Sequence, residues 1–134
     1  MPDNFDLRWV MISDYSSQDE TGKLVLAGVY AEDIVFAGPP PAIMPRVVAT
    51  LCIAPKVPKF NVEYALIRED GEPFMKVTGA LEGDGEVGRR DRAILRIPFP
   101  EGPFPGAGTY LILLGDGPDH LVEAHRFEMS VTPQ

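Results

Sequence analysis

Cysteine is nearly absent from this sequence. The one thiol in 134 residues cannot close an intramolecular disulfide. A chain of this length needs no such staple, because it can bury roughly two-thirds of the surface its unfolded form exposes. Cys52 sits in the apolar run VVATLCIA with no histidine or basic cluster beside it, the setting of a core or near-core residue and not of a reactive thiol. Basic residues are also in deficit, with 12 Lys and Arg against 20 Asp and Glu and a net charge of -8. That charge repels nucleic acid and anionic membrane at long range, so neither is expected as a partner. The one local exception, GRRDR at 88–92, reads as a solvated loop. There is no apolar run long enough to cross a bilayer, and MPDNFDLRWVMISDYSS has no basic region ahead of an apolar one, so neither an anchor nor a signal peptide is expected. This pattern favours the cytoplasm.

Catalytic and metal motifs are missing as well. GxSxG, SxxK, HExxH and CxxC do not occur, which leaves hydrolase and zinc chemistry without support. His120 and His125 lie five residues apart in a strand region, hence on opposite faces. His120 is expected in a surface loop and His125 partly exposed on a strand. The single tryptophan, Trp9, cannot line the sugar cleft that a pair of glycosidase carboxylates requires. No enzyme and no cofactor is expected.

What is abundant is proline and glycine, 14 and 13 residues spread along the chain. They leave almost no window in which an amphipathic helix could run. Between them lie short β-rich runs: LRWVMIS (7–13), KLVLAGVY (23–30), RVVATLCIA (46–54), FNVEYALIRE (60–69), PFMKVTGAL (73–81), AILRIPF (93–99), TYLILLG (109–115) and LVEAHRFEMSV (121–131). Period-two alternation, as of Phe127, Met129 and Val131 against Arg126, Glu128 and Ser130, marks strands with one buried face. The first run and TYLILLG are apolar on both faces, so they are expected to be central or covered. Asp70-Gly71 and Asp116-Gly117 suit turns that need a positive φ, and each reads as a hairpin. About eight short strands with turns between them predict a single all-β domain over 1–134, an antiparallel immunoglobulin-like β-sandwich, with a closed barrel as the alternative. Tyr110, at the start of a strand after a glycine turn, is the candidate for a tyrosine corner, its phenol bonding back to nearby backbone.

The strand ending SDY (13–15), the loop SSQDET, GKLVLAGVY (22–30), the proline-rich segment, the DG pair at 70–71 and the late GTY strand together resemble a bacterial family of small domains of unknown function. The resemblance covers most of the chain and is most specific in GKLVLAGVY. It implies a small immunoglobulin-like β-sandwich of bacteria or their phages, and no catalytic residues.

Residues 34–45, IVFAGPPPAIMP, carry four prolines and no charge. If every strand crosses the molecule and reverses, the loops at 14–22, 55–59, 82–92 and 116–120 share one pole and those at 37–45, 69–73 and 100–108 the other. The second pole then collects both proline-rich apolar segments. Proline stiffens such loops, so their side chains lose little entropy when a partner covers them, and exposed apolar patches mark interaction sites. Ile43, Met44, Phe99 and Phe104 are the candidate protein-binding residues, for another protein or a second copy of this chain. The competing reading turns them inward as a lid on the core. A reversal within AEDIVF (31–36) would move the first proline loop to the opposite pole. The expected function is a non-enzymatic protein-binding or assembly module. The alternative is a small-molecule, carbohydrate or Ca²⁺-binding domain using polar loops, DYSSQDE (14–20) and EGDGE (82–86) among them.

Overall fold

The computed structural model describes residues 4–21, 23–30, 33–37, 43–44, 46–57, 59–70, 77–84, 93–103, 106–117 and 120–132, and these contain strands and no helix. Each predicted run becomes a strand: β1 (Phe5–Gln18), β2 (Leu24–Val29), β5 (Val48–Pro55), β6 (Lys59–Arg68), β7 (Val77–Asp84), β8 (Ala93–Pro98), β10 (Gly108–Gly115) and β11 (Val122–Thr132). Three short ones are added, β3 (Ile34–Ala37), β4 (Ile43–Met44) and β9 (Gly102–Pro103).

Two main sheets form, in the orders β2-β1-β5-β8 and β3-β11-β10-β6-β7, with β4 and β9 as a separate pair. Among the described residues all pairings are antiparallel except that of β3 with β11. The two runs that are apolar on both faces, β1 and β10, take inner positions, as their composition requires. Both expected hairpins are present, β6 beside β7 and β10 beside β11. The positive φ expected at Gly117 is not found: Gly117 instead accepts a backbone bond from His120 at 3.1 Å within a longer connection, while Gly71 lies outside the described residues. Among the described residues Gly28, Gly102, Gly106 and Gly108 have positive φ.

Strand direction corrects the expected distribution of loops. Phe5 lies opposite Pro55 and Ser13 opposite Val48, so β1 leaves this ladder beside the start of β5 and not beside its end. The start of DYSSQDE therefore lies with the strand ends that flank the proline segments and not at the polar pole. A reversal within AEDIVF was expected to separate the two proline segments, yet they remain paired. β2 returns only to the level of Ser13, and the chain then crosses to the second sheet, where β3 runs parallel to β11.

The core lies where the two sheets face each other. Phe5, Leu51, Ile53 and Ile97 from the first meet Ile34, Leu66, Tyr110, Ile112, Leu114 and Met129 from the second, all essentially without exposure. Each such side chain stabilises the fold by about 1.5–3 kcal/mol relative to leaving it in water. The predicted corner is present: the Tyr110 hydroxyl donates to the Gly106 carbonyl at 2.7 Å. Arg68 reinforces it. Its Nη2 donates to the Ala107 carbonyl at 3.1 Å, its Nε lies 3.1 Å from Asp70, and its guanidinium lies 6.0 Å from the Tyr110 ring.

Candidate protein-binding surface

The two proline-rich segments do come together, since Ile43 pairs with Pro103 and Met44 with Gly102. The exposure expected there is not found at Phe99, which is only 4% exposed; its ring stacks on Phe127 at 5.6 Å, and Phe127 stacks on Tyr110 at 5.9 Å. Its backbone N–H donates to the Val47 carbonyl at 2.9 Å. Phe99 is thus a core residue that closes this end of the molecule. The sequence offered the exposed reading because Phe99 ends an alternating strand and abuts prolines, yet Leu95 and Ile97 already set the inward face on which Phe99 continues. Phe104 lies outside the described residues, and Ile43 and Met44 are placed here by their backbone pairing alone.

A better exposed surface lies on β1 and β2. Thr50, Cys52 and Ala54 alternate with the core residues Ala49, Leu51 and Ile53, so they occupy the outer face of the first sheet, yet they too are buried. The Ser16 hydroxyl accepts bonds from Thr50 at 2.7 Å and from Arg96 at 3.1 Å. In register, Thr50 lies opposite Met11 and Arg96, five residues before Ser16. An extended strand would carry Ser16 roughly 16 Å past that point. β1 therefore bends beyond Ser13, and the β1–β2 hairpin folds back as an arm across the outer face.

The arm has two different sides. Ser16 pairs with Leu26 and Gln18 with Leu24, while Tyr15 pairs with Ala27 and Ser17 with Val25. Leu24 and Leu26 are half-buried on the side that carries Ser16. On the other side Tyr15, Val25 and Val29 are 50%, 44% and 49% exposed, forming an apolar stripe without charge. The bend centres on Gly28, whose φ of 66° suits glycine and whose substituent would meet the Asp14 carboxylate at 2.5 Å. Asp14 in turn accepts from the Tyr30 hydroxyl at 2.7 Å. Burial foremost, then this bond and the carboxylate's charge, push the Tyr30 pKa up to about 12. At the tip, Asp19 Oδ1 accepts from the Thr21 and Lys23 amides at 2.8 and 2.9 Å and from the Thr21 hydroxyl at 2.7 Å. This carboxylate, part of the segment considered for Ca²⁺, is thus engaged in closing its own turn.

The histidines stand as expected, His120 exposed in a connection and His125 half-buried on β11, where burial lowers its pKa. Among the described residues no group of three or more His, Cys, Asp or Glu is placed to hold a metal, and no helix is long and apolar enough to cross a membrane. The sequence reading missed the arm. Gly28 inside an otherwise regular strand was the available signal, since an isolated glycine there marks a bulge or a close approach.

All-β, with two largely antiparallel sheets curled around a shared core, the architecture is compatible with a β-sandwich. No protein-family model and no curated protein matches the chain.

Proposed function

We propose that this chain is a non-enzymatic assembly module that joins a second copy of itself along the free edge of β2. The observation that carries this reading is the character of that edge. Edge strands are ordinarily protected by charge, proline or shortness. The other edges follow the rule: β8 carries Arg96 and Pro98, β7 carries Glu82 and Asp84, and β3 has four residues. β2, LVLAGV, has six residues with neither charge nor proline. Beside it runs the exposed stripe of Tyr15, Val25 and Val29. Two copies each carrying a net charge of -8 repel, so a self-interface favours a surface that lacks carboxylates, as this one does. An antiparallel β2–β2 pairing about a two-fold axis places the same edge on both sides and closes on itself.

An immunoglobulin-like framework belongs to the same reading. The order β1-β5-β8 matches strands A-B-E of such domains, and β11-β10-β6 matches G-F-C, with Tyr110 at the start of the strand that would be F. The arm is then an addition to the framework, formed where strand A overruns its partner.

Light scattering across a concentration series tests the proposal. The expected result is a dimer that Val25→Asp converts to monomer with the circular dichroism unchanged. A wild-type protein that stays monomeric at high concentration would sink it.

A further inference from the structure

Beneath the bend of the arm lies a cavity of about 400 Å³, within the size range of small-molecule sites. Arg96 lines it, and its surroundings leave one of its donors unsatisfied. Nε donates to Ser16 Oγ at 3.1 Å, and that oxygen also accepts from Thr50 Oγ1 at 2.7 Å. Nη2 is buried and meets no acceptor among the described residues. A buried guanidinium N–H without an acceptor costs free energy, and native proteins keep few such groups. Arg46 lines the same cavity, as do the apolar surfaces of Tyr15 and Pro98. Asp14 and Glu101, both exposed, bring two carboxylates to it.

We infer that this cavity binds a small organic monocarboxylate, its oxygens taken by the Arg96 guanidinium and its apolar body lying against Tyr15 and Pro98. A planar guanidinium fork matches a carboxylate. Asp14 and Glu101 oppose a doubly charged phosphate more strongly than a single charge, which selects the carboxylate among oxyanions. The cavity shares Tyr15 with the exposed stripe, but the inference does not rest on the assembly proposal, because Arg96 and Pro98 belong to β8 and take no part in the edge of β2.

Calorimetric titration of the unaltered protein with benzoate, benzamide and phenyl phosphate tests the ligand class without any variant. Benzoate is expected to bind one to one and at least tenfold more tightly than either of the others. Equal affinity for benzamide, no binding of benzoate, or tighter binding of phenyl phosphate would each overturn the inference. Arg96→Met tests the residue. It keeps much of the side-chain bulk while removing both the unsatisfied Nη2 donor and the Nε bond to Ser16, so benzoate affinity is expected to fall at least tenfold with only a small change in Tm. A lowered Tm with benzoate affinity unchanged would assign Arg96 to holding the arm and would also overturn the inference. Should the methionine variant fail to fold, Arg96→Lys retains the charge without the fork, and an undiminished benzoate affinity there would count against the site.

Discussion

β10 and β2 are built from nearly the same chemistry and meet opposite fates. GTYLILLG and LVLAGV are both apolar and free of charge. Yet Tyr110, Ile112 and Leu114 have no exposure at all, while Val25 and Val29 remain nearly half exposed. The difference lies in neighbours. β10 has a strand on each side and the opposing sheet on its inner face. Among the described residues β2 has one partner, and its hairpin lies on the back of its own sheet. Hydrophobicity therefore marks a strand as in need of cover without saying whether this chain supplies it, and an apolar strand left at an edge is where a second chain can supply the rest.

The sharpest way to break the comparison is to truncate one residue on each strand. Ile112→Ala is expected to cost about 2–5 kcal/mol in urea unfolding, the range for deleting a buried aliphatic side chain. Val25→Ala should change monomer stability by no more than about 0.5 kcal/mol. Equal losses would mean that the β2 stripe is covered within a single copy, and the case for a second copy would collapse.

A smaller effect is expected on the outer face of the first sheet. Cys52 is 5% exposed there, opposite Trp9 and Ile94 in register. Cys52→Ser places a hydroxyl where a small apolar group packs, and a loss of about 1–3 kcal/mol is expected if that hydroxyl finds no partner. Since the arm contributes to covering this face, the same measurement on a Gly28→Ala background asks whether arm and face are coupled. The two losses should fail to add, as neighbouring sites do; strict additivity would show the arm to be energetically separate from the sheet behind it.

Why was β10 legible in the sequence and the arm not? Period-two alternation and turn residues report on local backbone and one buried face, which sufficed for the eight longer strands and for Tyr110. A strand that bends to cover the outside of its own sheet is decided by contacts between distant residues, such as Ser16 with Thr50 and Arg96. Nothing in SDYSSQ announces those partners. The burial of Phe99 was half legible, because its spacing from Leu95 and Ile97 put it on the inward face while the adjacent prolines suggested a surface loop. The proline segments were rightly brought together, but their pairing through β4 and β9 is a backbone event that composition does not encode.

Two tyrosines carry the comparison to finer scale. The Tyr110 hydroxyl meets a backbone carbonyl in the core region, so Tyr110→Phe should cost about 1 kcal/mol, the net worth of one hydrogen bond. An unchanged urea midpoint would mean that water replaces the phenol there without loss.

Tyr30 gives the smallest effect and the one most specific to the arm. Its hydroxyl meets the exposed carboxylate of Asp14 beside the Gly28 bend, and its pKa is raised from 10.0 to about 12. Because the folded form holds the proton more tightly than the unfolded one, the stabilisation from this group is complete below pH 10. It is lost as the pH rises from 10 through 12. Tyr30→Phe should therefore leave stability near neutral pH almost unchanged and flatten the decline above pH 10, with the contribution of Tyr110, also raised chiefly by burial, remaining. A decline just as steep in the variant would detach Tyr30 from the alkaline loss and leave the Gly28 conformation as the principal constraint on the arm. A flattened one would show that the bond from the protonated Tyr30 hydroxyl to Asp14 contributes to holding the base of the arm.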